Sequence, residues 1–251
     1  MRRSPTRSAR AIRPPPATRP ARTCTTRRAV SPKPAFADPI RARPHGARGS
    51  PPERIDRKVL TMSRNVGVIG LGAMGLGVAR SLLRAGFRVH ACDVREHVLA
   101  AFAAEGGVRC ATPAELGARC DVVITLVVNA EQTDAVLFGE RGAAAAMPRG
   151  GVVISSATVA PEFAIQLGAR LAAAGLLMLD APVSGGAARA AAGEMTMMTS
   201  GPAAAYEACD DVLAAIAGKV YRLGDAHGAG SKVKIINQLL AGVHIAAAAE
   251  A

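Results

Sequence analysis

The stretch from Asn65 to Asp93 limits the fold of this chain more than any other. A short apolar run, Val66 to Ile69, has the length and composition of a buried parallel strand and leads directly into Gly70-Leu71-Gly72-Ala73-Met74-Gly75. A helical pattern follows, and a second short run, Arg88 to Cys92, leads into Asp93, 23 residues after Gly70. This order of strand, glycine-rich turn, helix, strand and acid predicts a dinucleotide-binding unit in a doubly wound α/β sheet.

Each residue of this unit has a physical role. Gly70 permits the tight turn out of the strand, Gly72 lets a pyrophosphate approach the backbone, and Gly75 lets helix and strand pack closely. The N–H groups and dipole at the helix start favour the phosphate charge. Asp93 would accept hydrogen bonds from ribose hydroxyls and would repel a 2′-phosphate, so NAD is favoured over NADP. Arg95 leaves NADP open as the alternative, because its side chain is either solvated or able to turn towards a 2′-phosphate.

Residues 1–61 differ in composition from the rest of the chain. They hold 16 Lys and Arg against three acidic residues and 11 of the 16 prolines, whereas residues 62–251 hold 15 Lys and Arg against 16 acidic residues. Such a segment buries too little apolar surface to offset its ordering entropy, so we expect a disordered basic tail. It contains no apolar stretch that could serve as a signal peptide or cross a membrane.

Three interpretations of this tail are open: a nucleic-acid-binding arm, an Arg-rich transit peptide, or translated upstream DNA. We favour the third, with Met62 as the true initiator, because Met62 lies three residues before the first predicted strand. We therefore expect neither a specific nucleic-acid partner nor a membrane.

After Asp93 the alternation of strands and helices continues. We predict a Rossmann-type, mostly parallel sheet in a domain of residues 62–226, followed at residues 227–251 by the opening helix of an all-α C-terminal domain. Thr112-Pro113-Ala114-Glu115 indicates a capped helix start. The further predicted elements are strands at Asp121 to Val128, Val152 to Ile154 and Leu176 to Asp180, and helices at Glu131 to Phe138 and Pro161 to Ala174.

The five cysteines are odd in number and form no C-x-x-C pair, which indicates a reducing cytoplasm. Cys92, Cys110 and Cys120 are expected to be ordinary buried or half-buried thiols. No group of His and Cys residues has the spacing of a metal site, so no metal is predicted.

Two later stretches carry residues suited to catalysis. Asp180-Ala181-Pro182-Val183-Ser184-Gly185-Gly186 follows a predicted strand, where a hydroxyl and free N–H groups form either a carboxylate cradle or a plain turn. In Gly228-Ala229-Gly230-Ser231-Lys232-Val233-Lys234-Ile235-Ile236-Asn237-Gln238, the residues Lys234, Asn237 and Gln238 share one helix face. A lysine on such a helix is usually solvated, but one that is buried among amides has a lowered pKa and can transfer protons.

These three motifs, in this order, resemble those of the β-hydroxyacid dehydrogenases from Met62 to Ala251. The resemblance implies that Lys234 is the general acid and base and that Ser184, Gly185, Gly186, Asn237 and Gln238 bind substrate. It implies cofactor contacts at Gly70, Leu71, Gly72, Ala73, Met74, Gly75, Asp93, Val127, Val128, Gln132 and Thr158. The family often has Pro at the position of Val128, so the geometry of this loop stays open. It often has Asn at the position of Gln238, so which amide contacts substrate also stays open.

The resemblance also implies NAD-dependent oxidation of a small hydroxy acid, with L-threonate favoured and tartronate semialdehyde or 3-hydroxyisobutyrate chemistry as alternatives. The family's all-helical domain, which closes the cleft and forms homo-oligomers, is represented here only by its opening. We therefore expect this chain to be a fragment with impaired activity. A non-catalytic interaction module is the alternative of another class, and the retention of Lys234 argues against it.

Overall fold

A six-stranded parallel sheet lies at the centre of residues 64–251, the part of the chain that this computed structural model describes. The strands in chain order are β1 (Asn65–Ile69), β2 (Arg88–Cys92), β3 (Val108–Arg109), β4 (Val122–Thr125), β5 (Val152–Ser155) and β6 (Leu177–Asp180). Their spatial order, β3-β2-β1-β4-β5-β6, is that of a doubly wound dinucleotide-binding sheet, which confirms the predicted fold class. The predictions for residues 1–61 and for Met62 lie outside the described residues.

Helices connect the strands and cover both faces of the sheet. They are α1 (Ala73–Arg84), α2 (Glu96–Ala104), α3 (Pro113–Gly117), α4 (Ala130–Phe138) and α5 (Pro161–Ala173). Side chains of one strand alternate between two buried clusters: Val122 and Ile124 of β4 pack on the side of α1 and α2, and Val123 packs on the side of α3, α4 and α5. Burial on both faces explains why the strands are continuous apolar runs.

The chain reverses its winding direction between β1 and β4. These two strands are neighbours in the sheet although two strands separate them in sequence, and Val66 pairs with Val122. Loops that leave the carboxyl ends of β1 and β4 therefore run in opposite directions. In open α/β sheets, ligands bind in the crevice that this divergence creates.

A second, three-stranded sheet follows β6, and the sequence did not predict it. It consists of β7 (Val183–Ser184), β8 (Met195–Thr199) and β9 (Ala217–Arg222), with α6 (Gly186–Ala192) and α7 (Ala203–Ile216) between them. β7 pairs with β8 antiparallel, and β8 pairs with β9 parallel. Two-residue β7 is too short to show periodicity, and β9 begins directly at the end of α7 without a turn signal.

The last helix, α8 (Ala229–Glu250), packs its N-terminal end against α5, β6 and β8. Beyond this end it exposes the apolar residues Ile235, Ile236, Leu239, Leu240, Val243 and Ile245. That α8 opens an all-helical domain stays a prediction. Within residues 64–251, none of the helices combines the length and apolarity needed to cross a bilayer.

Candidate active site

The glycine-rich turn between β1 and α1 leaves open space beside its backbone. Gly70 has a φ of +95°, and a Cβ there would lie 2.7 Å from the carbonyl oxygen of Leu126, so only glycine fits. A Cβ at Gly75 would overlap the carbonyl oxygen of Gly70, whereas a Cβ at Gly72 would meet no atom of another described residue, its chain neighbours aside, within 4 Å. Helix α1 begins here without a side-chain cap, which leaves its first-turn N–H groups available to an anion.

Asp93 follows β2 and holds the same turn. The backbone N–H of Leu71 donates to Oδ2 of Asp93 at 2.7 Å, and the guanidinium of Arg95 donates to both carboxylate oxygens, at 2.9 Å and 3.0 Å. Burial by itself raises the pKa of the Asp93 carboxyl, but the hydrogen bonds from Arg95 and Leu71 outweigh it, so the net pKa lies below its ordinary value. The carboxylate is therefore charged at neutral pH.

A cleft of about 380 Å³ opens at the carboxyl ends of the strands, between the loops after β4 and β5, the start of α6, and α8. Its size and its mixture of apolar and polar groups suit a small ligand. The structure brings together there the sequence-predicted residues Met74, Val127, Val128, Thr158, Ser184, Gly185, Gly186, Lys234 and Gln238. Six predicted residues lie outside its lining: Gly70, Leu71, Gly72, Ala73 and Gly75 in the adjoining turn and the start of α1, and Asp93 directly after β2.

Lys234 lies in this cleft with only 7% of its surface exposed, and its ammonium nitrogen donates a hydrogen bond to Oε1 of Gln238 at 3.0 Å. Burial lowers the pKa of Lys234 below the ordinary lysine value. Lys232, two positions earlier on the same helix, is exposed. The structure therefore places the predicted proton-transfer lysine in an environment that favours its neutral form.

The turn at the start of α6 forms the opposite side of the cleft. Ser184 is held in β7 opposite Thr196 of β8. Gly185 and Gly186 follow with φ of +128° and +71°, a conformation that glycine adopts without strain. The sheet thus fixes a hydroxyl beside the N–H groups of a backbone turn, an arrangement suited to binding a carboxylate.

Three predicted site residues differ in position or surroundings from the expectation. β4 ends at Thr125 rather than at Val128, so Val128 belongs to a loop and is 77% exposed. Gln132 does not line the cleft; its Oε1 accepts a hydrogen bond from the N–H of Val128 at 3.0 Å and so shapes the loop that does. Asn237 lines a neighbouring cavity of about 290 Å³ together with Ser184. Of the two predicted amides, Gln238 shares the cleft with Lys234.

Sequence reasoning missed Ser156, which lines the cleft at the end of β5. Its hydroxyl is buried and has no hydrogen-bond partner among the described residues. A polar residue directly after a buried apolar strand was the available signal, since such positions reach the crevice. An unsatisfied buried hydroxyl is costly, which is expected where a ligand supplies the missing partner.

The cysteines of the described region are unpaired and buried. Burial raises the pKa of Cys92, and it raises those of Cys110 to about 11 and of Cys120 to about 12. These groups are therefore inert thiols, as predicted. Within residues 64–251, no cluster of three His, Cys, Asp or Glu side chains is arranged to hold a metal ion.

The residues of the turn and the cleft fit a nicotinamide dinucleotide. The open side of Gly72 and the start of α1 can receive the pyrophosphate. The Ser156 hydroxyl, which has no partner within residues 64–251, lies in the cleft. Residues 65–224 match the protein family described as the NAD binding domain of 6-phosphogluconate dehydrogenase. The chain belongs to this family.

Several proteins related to this chain carry dehydrogenase names. It is 80% identical over 190 residues to an L-threonate dehydrogenase of Cupriavidus necator, a match covering 76% of this chain and 64% of that protein. The crystal structure of a 3-hydroxyisobutyrate dehydrogenase from Salmonella typhimurium superposes with a TM-score of 0.72 at 50% identity, covering 75% and 66% of the two chains. Psf3 in complex with NADP+ gives a TM-score of 0.70 at 29% identity, covering 74% and 65%. The predicted resemblance to hydroxyacid dehydrogenases is confirmed. The chain spans just under two thirds of the length of these relatives.

Proposed function

We propose that this chain forms the cofactor-binding and proton-transfer part of an NAD-dependent hydroxyacid dehydrogenase that oxidises L-threonate to 2-oxo-tetronate. One observation carries the proposal: Lys234 is buried in the cleft, between the loops of a dinucleotide-binding sheet and the Ser184 turn. Burying a cation without an anionic partner costs free energy. A lysine in such a place is therefore expected mainly where function requires it. A non-catalytic interaction module would have no use for it.

The arrangement suggests a division of labour. The hydroxyl of Ser184 and the N–H groups of Gly185 and Gly186 hold the substrate carboxylate. Neutral Lys234 accepts the proton of the substrate hydroxyl, and Gln238 orients its amine through their hydrogen bond. A bound NAD would supply the hydride acceptor for the carbon that bears this hydroxyl, so that loss of the proton from oxygen and of the hydride from carbon leaves a carbonyl. In the reverse direction, protonated Lys234 returns the proton.

For the cofactor we propose NAD in preference to NADP. The charged Asp93 carboxylate holds the position after β2 where the ribose hydroxyls of NAD are bound in such sheets. A 2′-phosphate would meet this charge directly. Arg95 is already paired with Asp93, so its Nε and Nη2 groups are engaged with that carboxylate rather than directed at a phosphate.

L-threonate is proposed as substrate because the relative at 80% identity is named for it. 3-Hydroxyisobutyrate is the second candidate, because the Salmonella typhimurium protein at 50% identity carries that name. We further propose that α8 opens an all-helical domain that completes the cleft and supports a homo-oligomer. The buried free thiols fit the reducing cytoplasm, where we place the protein.

A substrate panel tests the proposal. The chain would be assayed alone and as a hybrid protein, in which it is continued with the part of the Cupriavidus necator relative outside the match. NADH formation is followed with L-threonate and 3-hydroxyisobutyrate, and NADH consumption with tartronate semialdehyde. We expect the highest kcat/KM for L-threonate. Preference for another compound would replace the substrate, and no turnover by a folded, NAD-binding hybrid would refute the dehydrogenase proposal.

A further inference from the structure

The side chain of Asp180, at the end of β6, lies beneath the start of α8. Only 1% of its surface is exposed. Oδ2 accepts hydrogen bonds from the backbone N–H groups of Gly228, at 3.0 Å, and Ser231, at 2.9 Å, and Oδ1 accepts one from the hydroxyl of Ser231 at 2.6 Å. The hydroxyl of Ser200 donates to Oδ2 at 3.3 Å and accepts from the N–H of Gly230 at 3.1 Å.

We propose that Asp180 is a positioning residue, whose carboxylate anchors the first turn of α8 and thereby holds Lys234 in the cleft. Lys234 follows Ser231 by three residues, so it lies in the next turn, on the face of the helix that carries the anchored serine. The inference rests on the role proposed for Lys234. It adds a residue that touches neither substrate nor cofactor in that proposal.

A carboxylate suits this position for two reasons. The N-terminal N–H groups of a helix have no intrahelical partners, and the helix dipole favours a negative charge beside them. Hydrogen bonds to an ionised acceptor are also stronger than those to a neutral one. Asp180 satisfies two of these N–H groups directly, and Ser200 satisfies that of Gly230, so the buried charge is fully engaged.

The space around the anchor is closely filled. A Cβ at Gly230 would lie 2.5 Å from the carbonyl oxygen of Met198 and 2.7 Å from that of Asp180. The backbone of Asp180 also exchanges hydrogen bonds with Ser200 at 2.9 Å in both directions, which ties β6 to the second sheet. Asp180 therefore links the start of α8 to the strand that leads into the Ser184 turn. One residue sets the separation between the lysine and the proposed carboxylate site.

The test uses the chain itself and needs no turnover. Asp180→Asn keeps the shape of the side chain but removes its charge. Ser231→Ala removes a single donor to Asp180 and serves as the milder variant. Thr112→Ala is the matched control, because Thr112 caps α3 by accepting from the N–H of Glu115 at 3.1 Å, away from the cleft. It weakens a helix start without touching α8.

Two readouts separate positioning from general stability. Backbone hydrogen exchange reports the N–H groups of Gly228 and Ser231. Trace acetylation across the pH range in which lysines titrate reports the labelling midpoint of Lys234, with exposed Lys232 as the internal reference. Since a charged hydrogen bond is worth a tenfold effect or more, we expect Asp180→Asn to speed exchange at both amides by at least about tenfold. It should also move the Lys234 midpoint upwards, towards that of a solvated lysine.

Ser231→Ala should shift the Lys234 midpoint less but in the same direction, and Thr112→Ala should leave midpoint and amides unchanged. The proposal is overturned if Asp180→Asn, or Ser231→Ala should the first variant not fold, leaves Lys234 as in the wild type. It is equally overturned if Thr112→Ala shifts Lys234 as far as Ser231→Ala does. A chain that oxidises no hydroxy acid would defeat the proposed function but not this result.

Discussion

The guanidinium of Arg95 lies on the carboxylate of Asp93, with Nε 2.9 Å from Oδ1, while the same carboxylate accepts the N–H of Leu71. The side chain of Asp93 thus holds both the glycine-rich turn and the guanidinium of Arg95. We expect this relationship to affect cofactor choice, because the Arg95 donors that hold Asp93 are not available to a 2′-phosphate.

Asp93→Ala should therefore weaken NAD binding by roughly tenfold, the size expected for lost hydrogen bonds to a charged group, and should narrow the preference for NAD over NADP. A double variant that also replaces Arg95 should lose the gain in NADP affinity relative to NAD affinity. Calorimetric titration with both cofactors at about 0.15 M salt measures this, since direct contacts persist under such screening. Tighter binding of NADP than NAD by the wild type would contradict it.

The glycines of the turn should separate folding from cofactor binding. A Cβ at Gly72 meets no atom of another described residue, its chain neighbours aside, within 4 Å. Gly72→Ala should therefore change the free energy of unfolding by less than about 1 kcal/mol. The added methyl group should nevertheless obstruct the pyrophosphate. A Cβ at Gly75 overlaps the backbone of Gly70, so Gly75→Ala should cost about 1–3 kcal/mol or more. Urea denaturation and NAD titration distinguish the two. Unchanged NAD affinity in Gly72→Ala would remove the turn from the binding site.

The buried amine of Lys234 should make stability depend on pH. Because its pKa is lowered by folding, the unfolded chain binds more protons between that lowered value and the ordinary one of about 10.4. Stability relative to Lys234→Met should therefore rise with pH through this window, and the methionine variant should hold its largest advantage below it.

Urea denaturation at several pH values measures this difference, with exposed Lys232→Met as the control that should show no such trend. A difference between wild type and Lys234→Met that does not vary with pH would mean that Lys234 is solvated.

Local signals predicted most of the large sheet. Strand β2 was predicted at its observed bounds, Arg88–Cys92, because a glycine and an acid flank one apolar run. The capped start of α3 is confirmed, since Thr112 accepts from the N–H of Glu115. The carboxylate of Glu115 accepts from the N–H of Ala111 at 2.7 Å rather than from Thr112, a detail that only geometry shows.

Other features depend on tertiary contacts that sequence patterns do not carry. Val127 and Val128 continue an apolar run, but after Thr125 the neighbouring strand β1 has ended, so the ladder stops at the hydrogen bond from the N–H of Leu126 to Ile69. The sequence did not predict the second sheet, because β7 has only two residues and β9 is mostly exposed, so the buried run of β8 lacks recognisable partner strands. Ser156 lines the cleft because β5 lies beside β4, a pairing that the sequence does not specify.

The register of the lysine motif was predicted correctly as far as burial is concerned: Lys234 is buried and Lys232 is exposed. Spacing along a helix suffices for this, because residues three and four apart share a face. It did not suffice to choose between Asn237 and Gln238. Their lining of different cavities depends on the packing of α8 against the two sheets.

The central claim is that Lys234 transfers the substrate proton, and the most direct measurement compares Lys234→Ala with Lys232→Ala in the hybrid protein. NAD reduction by L-threonate gives kcat, and calorimetry gives the NAD dissociation constant. Lys234→Ala should lower kcat by about 10²–10⁴ with little change in NAD affinity, and Lys234→Arg should not restore it, because arginine stays protonated. Lys232→Ala should keep near-wild-type kcat. An active Lys234→Ala variant beside an inactive Lys232→Ala variant would contradict the account.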